Sequence, residues 1–387
     1  MIQKDNKTAF QLSFIVTHKC NLNCVYCYEK NRSAESMDVE FVKQTIAKYL
    51  NDESVGDVMI DFFGGEPWIE FEKIREVCEW VWSQKWRNNH LFFTTTNGTL
   101  IHGEVKEWLS QHREKFWCGL SLDGTRDTHN KNRSNSFDKI DVDFFRECWP
   151  EQTVKMTVST ASLSTLADDI LYIQQKGFKV AGTNFAEGFD WGNEKFSIEL
   201  CAQLEKLVDY YMHNPEAPVA PILDMSIENC EALPRKEKWC GTGGNRMIFY
   251  DTDKKHYPCN FFTPMTFTQE QLNNLDSVDF EDSKLFLDEY CYNNCYLYNV
   301  CPNCYGANYL MSGKLNCRDK GICNLVKIRA YYTAALKAFQ ILNYPEQFAT
   351  NKAKTALQIK AIEKIRQMCP PQVRIDDKDI NEATYTP

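Results

Sequence analysis

Short apolar runs alternate with longer amphipathic stretches over the first half of the chain, and this alternation constrains the fold most strongly. We predict strands at residues 10–17, 57–63, 90–96, 116–122, 153–160 and 178–186, with helices between them at 39–50, 71–84 and 166–177. Strands that alternate with helices pair in parallel through right-handed crossovers. The sequence therefore predicts an α/β protein, with about six units forming a partial barrel or an open parallel sheet.

Charge and apolar content argue against nucleic-acid-binding and membrane proteins. The chain has 387 residues and a formal net charge of −9, whereas nucleic-acid binders usually carry a basic excess. It has no apolar run long enough for a membrane span and no secretory signal. We therefore expect a cytoplasmic protein that binds neither nucleic acid nor membrane.

Cysteine usage is the unusual part of the composition. The chain has 17 cysteines, and in a reducing compartment clustered thiols indicate metal or cluster ligation rather than disulfides. Three lie within eight residues near the start, and eight lie between Cys240 and Cys323. We interpret the scattered ones as small buried apolar residues; they are Cys78, Cys118, Cys148, Cys201, Cys230 and Cys369.

The first cysteine group, Cys20, Cys24 and Cys27, directly follows the first predicted strand. A structural zinc ion would take four ligands, whereas three thiolates suit a [4Fe–4S] cluster with one iron left open. The spacing C-x3-C-x2-C, with Tyr26 before the last cysteine, resembles the signature of radical S-adenosylmethionine enzymes. The resemblance implies that these cysteines hold the catalytic cluster and that Tyr26 lies at the cofactor.

Further motifs follow the next three predicted strands, in the order typical of this family. They are Gly64-Gly65-Glu66-Pro67, Thr96-Asn97-Gly98 and Ser121-Leu122-Asp123-Gly124, the last with His129 and Arg133 downstream. Each is an ordinary turn when taken alone. The resemblance implies that 64–67 holds the methionine amino group of the cofactor, that Asn97 lies on the cofactor side, and that Ser121 and Asp123 face its ribose or the substrate. A lone His129 or Arg133 is more often structural.

The second cysteine group resembles the SPASM domain of radical peptide maturases, and its eight thiols match the need of two cubane clusters. The resemblance implies an inner cluster on Cys240, Cys259 and Cys304, with Cys317 or otherwise Cys230 as fourth ligand, and an outer cluster on Cys291, Cys295, Cys301 and Cys323. The spacing departs from the usual form, and Lys254 stands where a turn glycine is expected. Two structural zinc sites are the alternative.

We expect four regions along the chain. They are a radical S-adenosylmethionine partial (β/α)6 TIM barrel at 1–213, a proline-rich linker at 214–224, an auxiliary-cluster domain at 225–330, and C-terminal helices with a tail at 331–387. Helices are predicted at 322–342 and 350–368, the second stopped by Pro370 and Pro371. No room is expected before residue 10 for a separate leader-binding domain.

The resemblance implies an oxidative peptide maturase. Such enzymes cleave S-adenosylmethionine to a 5′-deoxyadenosyl radical, which abstracts hydrogen from a ribosomally made precursor peptide. We expect three [4Fe–4S] clusters, an electron donor such as flavodoxin or ferredoxin, and a thioether cross-link, because residues 301–313 resemble maturases of Cys-x-x-x repeats. One alternative is formylglycine formation, which a general base would favour and for which Asp123, Glu187 and Asp190 are candidates. Others are carbon–carbon cross-linking and a non-enzymatic iron–sulfur redox regulator.

Overall fold

The computed structural model describes residues 9–178, 181–244 and 246–368. Eight strands lie in this part of the chain: β1 (Phe10–Thr17), β2 (Val58–Gly64), β3 (His90–Thr96), β4 (Phe116–Leu120), β5 (Val154–Val158), β6 (Ala181–Phe185), β7 (Met247–Tyr250) and β8 (His256–Tyr257). All six strands predicted from the sequence are present, and β1 and β3 have the predicted bounds. The last three of the six are shorter than predicted.

Thirteen α-helices are described. They are α1 (Val39–Asn51), α2 (Phe71–Trp82), α3 (Gly103–His112), α4 (Arg126–Asn132), α5 (Val142–Cys148), α6 (Leu166–Gln175), α7 (Glu194–His213), α8 (Gln269–Asn273), α9 (Glu289–Asn294), α10 (Tyr305–Ser312), α11 (Lys320–Asn343), α12 (Pro345–Phe348) and α13 (Lys352–Met368). α1 shows why the prediction succeeds: Asp38 accepts a hydrogen bond from the Phe41 amide as N-cap, and Val42, Ile46 and Tyr49 bury one face.

The first six strands are parallel and follow one another in chain order. β1 to β4 belong to a sheet of order β4-β3-β2-β1-β7-β8, whereas β5 and β6 form a separate pair. A single parallel bridge between Ser121 and Lys155 joins the two sets. The fold is therefore mixed α/β with a parallel sheet, as predicted, and all six strands end on one side, where β/α folds place their ligand sites.

The sequence did not predict that the second half of the chain would extend this sheet. β7 pairs in parallel with the free edge of β1, and β8 returns antiparallel to β7. The pairing is short, from Gln11 opposite Met247 to Phe14 opposite Tyr250. It fixes the cysteine-rich region directly beside the strand that precedes the first cysteine group.

The main core lies between the outer face of the sheet and the helices. Phe62, Phe92 and Phe116 stack across β2, β3 and β4, with ring centroids 5.6 and 6.0 Å apart for successive pairs. Alternate residues on the same strands point to the inside of the sheet, as the two-residue period of a strand requires. Asp61 and Lys155 are among these inward residues.

The segment predicted as a linker at 214–224 is partly built into the core. Ile222 and Leu223 are buried in the main core cluster, and Arg329 donates hydrogen bonds to the carbonyls of Ile222 and Pro221. α11 packs against α7 and α13, and it runs without interruption across the boundary predicted at 330/331. Pro370, Pro371 and Cys369 lie outside the described residues.

No helix in the described ranges is long and apolar enough to cross a membrane.

Candidate active site

The first cysteine group lies in the loop that follows β1. Cys20, Cys24 and Cys27 are half-buried and line one cavity of about 260 Å³ at the carboxyl ends of the parallel strands. Arg32 supports this loop, because its guanidinium donates to the Leu22 carbonyl at 2.6 Å and to the Cys27 Sγ at 3.4 Å. Arg32 thus places a positive charge beside the cysteine loop.

Two glycines let the chain after β2 pass directly beside the cysteine loop. A Cβ on Gly65 would lie 2.3 Å from the Lys19 carbonyl oxygen and 2.9 Å from the Cys20 Cβ. Gly64 has a φ of +132°, and a Cβ there would lie 2.3 Å from the Thr17 carbonyl oxygen. The amides of Gly65 and Glu66 bond to the same loop, at 3.0 and 2.9 Å. The glycines of the 64–67 motif are therefore required by close backbone approach.

Glu66 is held by its neighbours at the rear of the cavity. Its carboxylate accepts hydrogen bonds from the Thr96 hydroxyl at 2.7 Å and the Asn97 amide at 2.8 Å. Burial raises the pKa of Glu66 to about 7, against the effect of these donors. The Asn97 amide side chain bonds to Asn21 and Thr99. Glu66 and Asn97 both line the cavity, as predicted, whereas Pro67 starts a buried 3₁₀ turn behind it.

Asp123, which the resemblance places at the cofactor or the substrate, does not line the cavity. The residue is fully buried, and its two carboxylate oxygens accept hydrogen bonds from five donors. These are the Tyr26 hydroxyl (2.5 Å), the Asn132 amide side chain (3.2 Å), Arg133 Nε and Nη2 (2.9 and 3.1 Å) and the Thr157 amide (3.0 Å). Asp123 therefore positions the side chains that line the cavity instead of lining it.

His129 is buried behind the cavity, whereas Arg133 both bonds to Asp123 and lines the cavity. The His129 Nδ1 accepts from the Asp123 amide at 3.4 Å, and its Nε2 lies 3.0 Å from the Ser136 hydroxyl. Burial lowers the pKa of His129 to about 4, so the ring is neutral near pH 7. Arg133 carries the charge that balances Asp123 and lies over the Tyr26 ring.

Further residues complete the cavity wall from β4, β5 and β6. Ser121 and Tyr26 line it as predicted, together with Lys155 and Glu187. Sequence reasoning missed Arg32 and Lys155. A lysine within the fifth strand, between buried Val154 and Met156, was the available signal, because an inward charge in a strand needs a functional or electrostatic reason.

The inner part of the second cysteine group adjoins this cavity. Cys240, Cys259 and Cys304 are near enough for their charges to raise one another's pKa. Tyr28, directly after the first cysteine group, stacks on Phe261 with ring centroids 4.3 Å apart. Asn260 also donates to the Tyr28 hydroxyl. The first loop and the inner cysteines are thus joined by an aromatic and a polar contact.

The outer cysteines lie together elsewhere in the same region. Cys291, Cys295, Cys301 and Cys323 line a cavity of about 50 Å³, and burial raises the pKa of Cys301 to about 11. This is the grouping that the sequence implied for these four residues.

The two candidates for a fourth inner ligand are not placed with the inner set. Cys230 is buried and faces Cys295 of the outer set, which contributes to the raised pKa of its thiol. Cys317 is exposed. Cys230, which the resemblance gives as the substitute ligand of the inner set, therefore lies beside the outer group in this structure. Of the other scattered cysteines, Cys78 and Cys118 are buried as expected, and Cys148 and Cys201 are half-buried.

In the described ranges, no three or more His, Cys, Asp or Glu side chains converge on a point that could hold one metal ion. Three grouped thiols beside Arg32 and Arg133 suit a larger, anionic metal–sulfur group.

Comparison with known proteins agrees with this site. Residues 11–139 match a family model described as a 4Fe-4S single cluster domain. The chain is 24% identical over 359 residues to a cysteine-type anaerobic sulfatase-maturating enzyme of Clostridium perfringens, covering 84% of this chain and 94% of the relative.

Solved structures show the same fold. Native anSMEcpe with bound AdoMet and Cp18Cys peptide has a TM-score of 0.63 at 20% identity, covering 88% of this chain and 99% of that one. Streptococcus suis SuiB bound to precursor peptide SuiA has a TM-score of 0.53 at 16% identity, covering 81% and 76%. The chain is thus similar, over most of its length, to radical S-adenosylmethionine maturases.

Proposed function

We propose that this protein is a radical S-adenosylmethionine enzyme that modifies a peptide. The observation that carries the proposal is the single cavity at the ends of β1 to β4, which Cys20, Cys24 and Cys27 share with Gly65, Glu66 and Ser121. In this proposal the six parallel strands are a partial (β/α)6 barrel, and the cysteine-rich region that follows is a SPASM-type module. The region bounds are those expected from the sequence, except that α11 joins the last two regions.

The first cysteine group would hold a [4Fe–4S] cluster, which supplies the one-electron cleavage of S-adenosylmethionine. The chain's own residues bind and orient the reactants. The 64–67 motif brings its backbone against the cysteine loop, and Arg32 and Lys155 place positive charge where a cofactor carboxylate can be bound. Asp123 and Arg133 fix Tyr26 from behind, so that its ring keeps one orientation at the cavity.

The second cysteine group would hold two auxiliary [4Fe–4S] clusters, three in all, and would supply an acceptor for the second electron of an oxidation. The outer four thiols already surround one cavity. Of the inner three, Cys259 and Cys304 lie next to Tyr28, which directly follows the first cysteine group. An external donor such as flavodoxin or ferredoxin would reduce the first cluster in the cytoplasm.

The substrate we propose is a side chain within a ribosomally made precursor peptide, and the product is a thioether cross-link. Support comes from the similarity to SuiB, whose structure contains its precursor peptide, and from the likeness of residues 301–313 to maturases of Cys-x-x-x repeats. A second candidate is formylglycine formation in a sulfatase. It is favoured by the similarity to a sulfatase-maturating enzyme over 84% of this chain.

An anaerobic assay tests the proposal and separates the two products. Reconstituted protein should contain about 12 iron atoms per chain and should form 5′-deoxyadenosine when reduced with S-adenosylmethionine. A precursor peptide encoded beside the gene would lose two hydrogen atoms per thioether. A sulfatase peptide would exchange its cysteine thiol for an aldehyde oxygen.

Two cysteine variants make the assay specific. Cys24→Ala should abolish 5′-deoxyadenosine formation, whereas Cys78→Ala, a buried cysteine outside the site, should retain it. A wild-type protein that binds iron and forms no 5′-deoxyadenosine would reject the proposal and favour a redox regulator.

A further inference from the structure

Glu187 occupies a distinctive position at the end of β6. It lies two residues beyond the last residue of that strand and lines the same cavity as the first cysteine group. The chain turns at Gly188, which has a φ of +79°. A Cβ on Gly188 would lie 2.8 Å from the Leu310 Cδ2, so the glycine leaves room for this side chain. The packing of α10 against this glycine therefore fixes Glu187 at the cavity.

The charges around Glu187 come from the cysteine-rich region. Arg318 Nη1 lies 4.0 Å from the Glu187 carboxylate, and Asp319 and Cys304 also face it. Across the cavity are Glu29, Arg32, Glu66, Arg133 and Lys155. The carboxylate thus lies between the first cysteine group and the inner cysteines of the second group.

Arg318 links two cavities. Its side chain is only 7% exposed, and its Nε has no hydrogen-bond partner among the described residues. It also lines the small cavity of the outer cysteines. A buried guanidinium with one N–H unsatisfied is costly unless a bound group completes it. Arg318 thus lies between Glu187 and the cavity of the outer cysteines.

The other carboxylates are less suited to accept a proton from a substrate. Asp123 is buried with all its acceptor positions engaged. Asp190 is exposed and accepts from the Gly192 amide at 2.8 Å. Glu66 is held by Thr96 and Asn97, and Glu29 lies inside the first cysteine loop, where it faces Arg32 and Lys155. Glu187 is 31% exposed and opens into the cavity.

We propose that Glu187 is the general base of the reaction, which takes the proton from the substrate thiol, hydroxyl or amide N–H whose sulfur, oxygen or nitrogen atom X forms the new bond to the attacked carbon. The inference rests on the proposed function. The C–H hydrogen goes to the 5′-deoxyadenosyl radical; the X–H bond breaks heterolytically, its proton forms an O–H bond on Glu187, and its electron pair forms the new bond between X and the carbon radical. One electron remains, and it requires a one-electron oxidant. That oxidant would be an iron–sulfur cluster of the second cysteine group. Arg318 is a positioning residue for Glu187.

The test compares Glu187→Gln with Asp190→Asn, a matched carboxylate-to-amide change in the same loop that removes an exposed group. With peptide deuterated at the attacked carbon, Glu187→Gln should transfer deuterium to 5′-deoxyadenosine within a few-fold of the wild-type rate. Modified peptide should fall by about 10²-fold or more. Fluorescence anisotropy should show peptide affinity within about threefold of wild type, because Gln keeps the size of Glu and loses only the basic oxygen. Asp190→Asn should match wild type in all three measurements.

The pH profile gives a second measurement. Glu187→Asp keeps a carboxylate but has a shorter side chain. It should therefore form more modified peptide than Glu187→Gln, and it should shift the acidic limb of the plot of product formation against pH.

Two results would overturn the inference. One is modified peptide from Glu187→Gln at the wild-type rate. The other is an equal loss of deuterium transfer and product, which would make Glu187 a residue that only orients the substrate. Neither result resembles failure of the proposed function, in which wild-type protein itself forms no 5′-deoxyadenosine.

Discussion

Arg133 and Asp123 form a buried ion pair behind the cavity, with Nε 2.9 Å from Oδ2 and Nη2 3.1 Å from Oδ1. Arg133 comes from the end of α4, and Asp123 comes from the loop after β4. The pair therefore ties this helix to the strand end that carries Ser121. Because both side chains are out of water, neither charge has solvent to replace its partner.

We predict that Arg133→Met lowers the free energy of unfolding by about 3–5 kcal/mol, because it leaves Asp123 as a buried charge without a counter-ion. Urea titration of the anaerobic protein measures this. Arg126→Met is the matched control: Arg126 pairs with Asp138 at the surface, both more than half exposed, and such pairs are worth about 0–1 kcal/mol. Equal losses in the two variants would contradict the prediction.

Gly65→Ala should disrupt the first cysteine loop. The added methyl would overlap the Lys19 carbonyl and the Cys20 Cβ, so residues 19–20 must move. We expect iron bound at the first site, measured by the electron paramagnetic resonance of the reduced cluster, to be largely lost. Gly119→Ala is the control, since Gly119 has no positive φ and a Cβ there would make only ordinary contacts, the nearest with a Phe93 ring carbon at 3.4 Å. Retention of the signal in Gly65→Ala would show that the loop tolerates the shift.

Asp61 provides a prediction on pH. Burial raises its pKa from 3.8 to about 6, opposed by Lys155 and by hydrogen bonds from Gln11 and Ser13. The folded protein thus keeps this proton at a pH where the unfolded chain has lost it, so Asp61 reduces stability as pH rises from about 4 to about 6.

We expect Asp61→Asn to be more stable than wild type above pH 6 by about 1–3 kcal/mol, and to lose this advantage below about pH 4. Urea titrations across this range measure the difference. Asp138→Asn should not gain stability with rising pH, because Arg126 lowers the pKa of that exposed carboxyl. An Asp61→Asn advantage that is constant with pH would show that ionisation is not its cause.

The sequence predicted the strands well because each carries a periodic apolar pattern that depends only on local residues. It also predicted that the first cysteine group, Glu66 and Ser121 share a cavity, because the carboxyl ends of parallel strands meet at one edge. It could not predict that Asp123 is buried, since its partners Arg133 and Thr157 come from two other elements. The pairing of β7 with β1 and the contact of Cys230 with Cys295 depend equally on tertiary packing.

Iron content should distinguish cluster ligands from other cysteines in the second cysteine group. Cys301 is half-buried and lines the outer cavity with three other thiols, whereas Cys317 is exposed. Cys301→Ala should therefore remove about four iron atoms per chain, the content of one cubane. It should leave 5′-deoxyadenosine formation in place, because the first cysteine group is untouched.

Cys317→Ala should keep the iron content of wild type, because the inner thiols Cys240, Cys259 and Cys304 come together without it. Iron analysis and absorbance of anaerobically reconstituted protein measure both variants. Loss of about four iron atoms from Cys317→Ala would contradict the prediction: it would return Cys317 to the inner ligand set and require its exposed segment to fold inward when the cluster binds.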